Sequence, residues 1–145
     1  MAYCGLNDLY QICPETDIIQ LTDDENTGEV VVSIVEDCIA YADTLIDSYL
    51  SGKYSVPLST VPDLVKQLSI DLSVFRLYSR RLSLQMPEGL TARYNEAIRL
   101  LRDLQAGRMD LPDANTEEVL SGDGFYRTNK TSDNRVFTST VMDTF

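Results

Sequence analysis

Apolar and polar residues recur with a helical period from Glu29 to Gly52. At about 100° per residue, the apolar side chains of this stretch fall within an arc of roughly 160°, and acidic and hydroxyl side chains fill the opposite arc. A strand would require strict alternation, which only the run from Val30 to Val32 permits. The pattern therefore predicts one long amphipathic helix whose apolar face is wide enough to contact two neighbouring elements.

Two later stretches also predict long helices. One runs from Asp63 to Leu84, after an extended link that contains Pro57 and Pro62. The other runs from Glu88 to Ala106 and stops at Gly107, a residue type common at helix C-termini. Because short links favour antiparallel neighbours, we predict an all-α fold, a small antiparallel bundle of three long helices plus short N-terminal helices.

The N-terminal region predicts less regular structure. Asn7 can cap a short helix from Asp8 to Ile12, which Pro14 ends or restarts. An apolar patch at residues 18–21 precedes an acidic, turn-like run from Thr22 to Gly28. This run superficially resembles a calcium-binding loop but lacks the required glycine and glutamate spacing, so we predict a solvated loop without a metal.

The predicted second long helix is apolar on two sides. Its main face includes Asp71, a carboxylate that needs a partner such as Arg93 or Lys53 if it is buried. A helix of this kind is either central in its own domain or buried against another chain. On the second reading, the opposite stripe is a candidate subunit interface, made of Ile70, Val74 and Leu77.

The helical pattern stops after Gly107, which predicts a helical domain at residues 1–107 and an extended C-terminal arm at residues 108–145. The arm is rich in small polar residues, a composition typical of segments that order only with a partner. Its end is β-prone, so it can add a strand to another chain or insert side chains into a partner's pockets. The candidate partner-binding residues are Arg135, Val136, Phe137, Val141, Met142 and Phe145.

Charge is distributed unevenly within the total of −11. Residues 1–52 carry 11 acidic and no basic side chains, whereas residues 53–107 carry 5 acidic and 8 basic ones. The first segment would repel free nucleic acid, and the second could meet an acidic face of a neighbouring copy. The candidate acidic face, bordering a channel or a neighbour, consists of Glu36, Asp37, Asp43 and Asp47.

Several kinds of chemistry lack support in the sequence. There is no histidine, no phosphate loop, no dinucleotide glycine pattern and no nucleophile motif. A two-carboxylate glycosidase remains open on composition, but no carboxylate pair stands out. The three cysteines have no metal-ligand spacing and fit free thiols in a reducing compartment. We therefore predict no enzyme, no catalytic residue, no metal and no cofactor, and neither a secretion signal nor a membrane span.

Four stretches together resemble the head–tail joining, or connector, proteins of Mu-like phages and prophages. They read IDSYLSGKYSVPL at residues 46–58, SIDLSVFRLYSRR at 69–81, RYNEAIRLLRDLQAG at 93–107 and RVFTSTVMDTF at 135–145. The run from Leu21 to Asp23 before a loop also fits. The sequence departs from the family at residues 142–144, where a more basic stretch is common.

The resemblance implies a structural virion protein of the neck, assembled in the host cytoplasm. Such an adaptor would form a ring of twelve copies between the portal protein and a tail-side connector, stopper or terminator protein, and double-stranded DNA would pass through it without specific binding. An acidic helix is compatible with such a channel wall. The same helix supports an alternative function, an acidic DNA mimic that inhibits a nucleic-acid-binding protein.

Overall fold

A computed structural model describes residues 1–81 and 85–111 of the chain. These residues form five helices, α1 (Leu6–Leu9), α2 (Glu15–Thr22), α3 (Val32–Leu50), α4 (Asp63–Arg80) and α5 (Glu88–Gln105). The described part of the chain contains no strand and is consistent with the predicted all-α class. The predicted C-terminal strand lies outside the described residues.

Helices α3, α4 and α5 pack against one another, and α1 and α2 contact both α3 and α4. Two contacts give the relative direction of α3 and α4. Ser69 of α4 donates a hydrogen bond to Asp43, whereas Arg76, two turns later, lies over the ring of Tyr41, which precedes Asp43. The contacts therefore run in opposite directions along the two helices.

Two hydrophobic clusters form the core at the two ends of the helical body. The first joins the C-terminal part of α3 with the start of α4 and the end of α5, and its members include Ile46, Leu50, Val65, Leu68, Leu101 and Leu104. The second joins the start of α3 with the end of α4, α1 and α2, and its members include Leu9, Ile18, Leu21, Val35, Ile39 and Leu77. Full burial of each such side chain contributes about 1.5–3 kcal/mol.

Helix α2 corrects the prediction for the N-terminal region, which gave an apolar patch followed directly by a loop. Pro14 precedes the first turn of α2, a position where its missing N–H costs little. The helix buries Ile18 and Leu21, and the hydroxyl of Thr22 donates back to the carbonyl of Ile18 over 2.8 Å. Because this helix is only 8 residues long, its apolar face was too short to reveal the period.

The loop after α2 is organised by acidic side chains that act within the chain. The Asp23 carboxylate accepts hydrogen bonds from the amides of Thr27 and Gly28, over 2.9 and 2.7 Å. Asp24 pairs with Arg80 and Arg81 at the end of α4, and these guanidinium groups hold the pKa of that carboxyl below its usual range. The run is thus a structural link between α2 and α4.

The ends of the predicted helices shift by a few residues. Helix α1 begins before its predicted Asn7 cap, and α3 begins at Val32 rather than at Glu29. Just before α3, the Val31 amide donates to the Thr22 hydroxyl over 3.2 Å, which holds the entry to the helix against the end of α2. Helix α4 ends at Arg80 rather than at Leu84, and residues 82–84 lie outside the described residues.

The prediction that the second stripe of α4 contacts another chain is wrong. Ile70, Val74 and Leu77 are 2%, 1% and 0% exposed, and they belong to the cluster that α1 and α2 complete within the same chain. A helix that is apolar on two sides was predicted to be either central in its own domain or buried against another chain, and α4 is central in its own domain. The short N-terminal helices cover a surface that the sequence left without an obvious partner.

Helix α5 ends at Gln105, Gly107 terminates it as predicted, and the chain then stays on the body as far as Leu111. Gly107 has a φ of +70°, and the amides of Gly107 and Arg108 donate to the carbonyls of Leu104 and Asp103, the pattern of a Schellman motif. Leu111 is buried in the first cluster, and its amide donates to the Tyr54 hydroxyl over 3.0 Å. The beginning of the predicted arm, residues 108–111, is therefore part of the folded body.

Candidate functional site

A cleft of about 510 Å³ opens beside α3, and we call it the α3 cleft. One wall is formed by the N-terminal segment, residues 1–6, and the other by α3. Its apolar lining includes Leu6, Val32, Val35, Ile39 and Ala40, and its polar lining consists of Glu36, Asp43, Thr44 and Asp47. The volume lies in the range of sites that hold a small ligand or a few side chains of another segment.

A network of polar groups beneath the cleft fastens the N-terminal segment to α3 and α4. The Tyr3 amide donates to the Asp43 carboxylate over 3.1 Å, and the Ser69 hydroxyl donates to the same carboxylate over 2.7 Å. The Tyr3 hydroxyl donates to Asp47 and accepts from the Leu58 amide over 3.0 Å. The sulfur of Cys4 lies 3.2 Å from the Ser69 oxygen. The position of the cleft wall is thus set by buried hydrogen bonds.

Burial raises the pKa values of two groups in this network, Asp43 and Tyr3. It raises the pKa of the Asp43 carboxyl above its usual range, against the opposing effect of the hydrogen bonds from Ser69 and Tyr3. Burial and the hydrogen bond to Asp47 raise the pKa of Tyr3 to about 12. At neutral pH the Tyr3 hydroxyl therefore remains a donor to Asp47.

The four residues of the predicted acidic face occupy different environments. Glu36 and Asp37 are exposed, and neither forms an ion pair within residues 1–81 and 85–111. Asp47 is half-buried and accepts from Tyr3. The placement of Asp43 on the solvated face is wrong, because it is 8% exposed and accepts from Tyr3 and Ser69. The N-terminal segment covers it, which the helical wheel of α3 alone could not show.

Most cations of the described chain are used within it. The residues that form ion pairs with carboxylates are Lys53, Lys66, Arg80, Arg81, Arg93, Arg99 and Arg108. The guanidinium of Arg76 instead lies 4.4 Å from the ring centre of Tyr41. Because most of these cations are engaged within the chain, residues 53–107 present few unpaired cations to an acidic neighbour. Glu36 and Asp37, in contrast, have no ion-pair partner among the described residues.

Of the two partners predicted for Asp71, Arg93 and Lys53, the structure shows Arg93. Arg93 donates to the Asp71 carboxylate over 3.0 Å, and Gln67 donates to it over 3.3 Å. Burial raises the pKa of Asp71 above its usual range, and Arg93 opposes this shift. The pair links α4 to α5 beside the stacked rings of Phe75 and Tyr94, whose centres are 4.0 Å apart.

The apolar exposure of the described residues is concentrated near α3. The large hydrophobic side chains with the greatest exposure are Met1, Val32 and Tyr41, at 79%, 47% and 46%. Met1 and Val32 both line the α3 cleft, whereas Tyr41 lies at the Arg76 side of the same helix. The cleft therefore has an anionic rim and apolar walls that no described residue fully covers.

The sequence did not single out this cleft, because its second wall comes from the first few residues. Tyr3 and Cys4 lie in a stretch without periodicity, so no signal in the sequence placed them against α3. The arm residues proposed to bind a partner, Arg135 to Phe145, lie outside the described residues.

Cys4, Cys13 and Cys38 are free, as predicted, and all three are buried, which raises the pKa of each thiol. No group of three or more histidine, cysteine, aspartate or glutamate residues in the described part of the chain could hold a metal ion. Within the same residues, no helix combines the length and hydrophobicity that crossing a bilayer requires.

Sequence comparison relates the chain to phage proteins. Gene product J of Escherichia phage Mu is 29% identical to this chain over 125 residues, which cover 86% of this chain and 85% of that protein. The family described as Bacteriophage Mu, Gp36 matches residues 3–128, which include the five described helices and the lining of the α3 cleft except Met1 and Ala2. The chain therefore belongs to the Bacteriophage Mu Gp36 family of Mu-like phage proteins.

Proposed function

We propose that this protein is a head–tail connector, a structural virion protein that forms a ring between the portal and the tail. The observation that carries the proposal is the unpaired anionic surface of α3 on a member of a phage protein family. Glu36 and Asp37 are exposed without cationic partners in the described chain, whereas most of its cations are neutralised internally. A channel wall of this kind repels DNA phosphates at short range and does not hold the duplex.

The proposed assembly is a closed ring of twelve copies in the neck of the virion, built in the host cytoplasm. Head-to-tail contacts produce a ring when the rotation between copies closes. The partners in this proposal are the portal protein on one side and a tail-side connector, stopper or terminator protein on the other. The C-terminal residues Arg135 to Phe145 are proposed to bind one of them or the next copy, either as an added strand or through their apolar side chains.

Deletion of the gene from its phage tests the role directly. Without the protein, we expect filled heads and free tails that do not join, and a plasmid copy of the gene should restore joined particles. A truncation that ends before Arg135 should fail to restore joining while the purified protein keeps its helix content by circular dichroism. Normal yields of joined particles from the deletion phage would refute the connector role.

The same surface supports one other function, an acidic DNA mimic that inhibits a DNA-binding protein. Mass measurement of the purified protein, alone and with the portal protein, separates the two. Ring formation, alone or on the portal, supports the connector. A monomer that ignores the portal but binds a DNA-binding protein tightly would favour the mimic.

A further inference from the structure

We propose that the terminal segment Arg135 to Phe145 of the same chain occupies the α3 cleft in the free protein, so that an assembly partner must displace it. The cleft has apolar walls and an anionic rim, and Met1 and Val32 leave apolar surface exposed along it. An apolar cleft bordered by a few polar groups is the common form of a binding site.

The terminal segment has the chemistry of an occupant. It contains apolar side chains at Val136, Phe137, Val141, Met142 and Phe145, enough to fill the apolar walls. It begins with Arg135, and Arg127 and Lys130 precede it along the chain. With Asp133 and Asp143 counted, residues 127–145 carry three basic and two acidic side chains, so the stretch stays net positive and complements the rim, where Glu36 has no ion-pair partner in the described residues.

The tether length favours the segment of the same chain over that of a second copy. Leu111, the last described residue, is fixed to Tyr54 just beyond the C-terminal end of α3. A random coil with as many residues as separate Leu111 from Arg135 spans roughly 25–30 Å. Helix α3, along which the cleft runs, is itself roughly 28 Å long. A tether that matches its span gives an effective concentration in the millimolar range, far above that of a second copy in dilute solution.

This inference deepens the proposed function by naming where the arm rests before assembly, but its test does not depend on that function. Full-length protein is prepared with p-benzoylphenylalanine in place of Phe137, in isotopically light and heavy forms that are mixed at low micromolar concentration. After irradiation, mass spectrometry identifies the linked peptides. We expect links to residues 1–6 or 32–47 within chains of one isotope.

Two variants of matched exposure on α3 sharpen the test. Val32→Glu places a charge inside the cleft and should reduce the yield of these links at least tenfold. Tyr41→Glu places the same charge outside the cleft lining and should leave the yield unchanged, with circular dichroism as the check that both variants fold. Links to other parts of the body, links that join light to heavy chains as often as chains of one isotope, or equal yields from the two variants would overturn the inference. Phage joining is measured separately, so either idea can fail alone.

Discussion

The backbone amide of Tyr3 donates to the carboxylate of Asp43 over 3.1 Å, and this bond ties the N-terminal segment to the middle of α3. Asp43 lies one turn before Asp47, which accepts from the hydroxyl of the same tyrosine. One residue outside any helix therefore engages two acidic side chains that the sequence alone assigned to solvent.

The first prediction concerns the pH dependence of stability at Asp43. Because burial raises its pKa in the folded protein, its contribution to stability is complete below the unfolded value near 3.8 and is lost as pH rises through the folded pKa. The asparagine of Asp43→Asn does not ionise, so its contribution to stability does not change with pH. The free energy of unfolding of this variant in urea, relative to wild type, should therefore increase between about pH 3 and pH 7.

Asp43→Ala is the control for that experiment. It leaves the Tyr3 amide and the Ser69 hydroxyl without their acceptor, so we expect it to be less stable than Asp43→Asn by about 1–3 kcal/mol at every pH, because neither variant titrates at this position. A difference between Asp43→Asn and wild type that stays flat with pH would show that Asp43 titrates normally.

The second prediction concerns the pair of Asp71 and Arg93. Arg93→Gln removes the cation from a carboxylate that is 12% exposed, so it should destabilise the protein by about 1–3 kcal/mol. In a double-mutant cycle with Asp71→Asn, the coupling should be about 1 kcal/mol by urea unfolding. Additive effects of the two substitutions would show that the pair contributes nothing as a pair.

The third prediction compares two glycines. Gly107→Ala should destabilise the protein by about 1 kcal/mol, because the alanine must adopt a φ of +70°. Its Cβ itself meets no steric obstacle. Gly89→Ala, inside the first turn of α5 and in open space, should instead stabilise by about 0.5–1 kcal/mol. Thermal unfolding of both variants decides the matter, and a stabilising Gly107→Ala would contradict the Schellman geometry.

The fourth prediction tests the corrected position of the α4 stripe. Val74→Ala should destabilise the monomer by about 2 kcal/mol, because Val74 is 1% exposed in the core. Val32→Ala, at 47% exposure, is the matched control and should change stability by less than about 0.5 kcal/mol. If Val74→Ala left monomer stability intact and impaired only assembly, the original interface assignment would return.

The fifth prediction concerns the exposed acids of α3. In phage complemented with the Glu36→Lys, Asp37→Lys double variant, we expect joined particles with at least a tenfold lower infectivity, because cations at a channel wall retain DNA. Glu15→Lys with Glu25→Lys makes the same charge change outside α3 and should have little effect. Equal losses from both variants would indicate that net charge, and not the α3 surface, matters.

The long helices could be predicted from the sequence because their apolar periods extend over many turns. A carboxylate on an apolar face restricts the possible partners, so the sequence limited those of Asp71 to Arg93 or Lys53, and the structure shows Arg93. The predicted stop at Gly107 also holds, since few residues adopt a positive φ without cost.

The errors concern surfaces that short, non-periodic segments cover. Helix α2 is too short to show a clear apolar period, yet with α1 it buries the stripe of Ile70, Val74 and Leu77. Similarly, Tyr3 covers Asp43, and nothing in the wheel of α3 indicates that a distant segment will lie there. A helical wheel describes the faces of one helix but not which neighbours lie against them.

The hydrogen bond from the Leu111 amide to the Tyr54 hydroxyl fixes the last described residue on the body. In any symmetric arrangement of copies, the residues after Leu111 would then start at an equivalent position in every copy. The set of sites that these residues can touch is consequently identical for every subunit, so one anchoring hydrogen bond contributes to the regularity of the whole array.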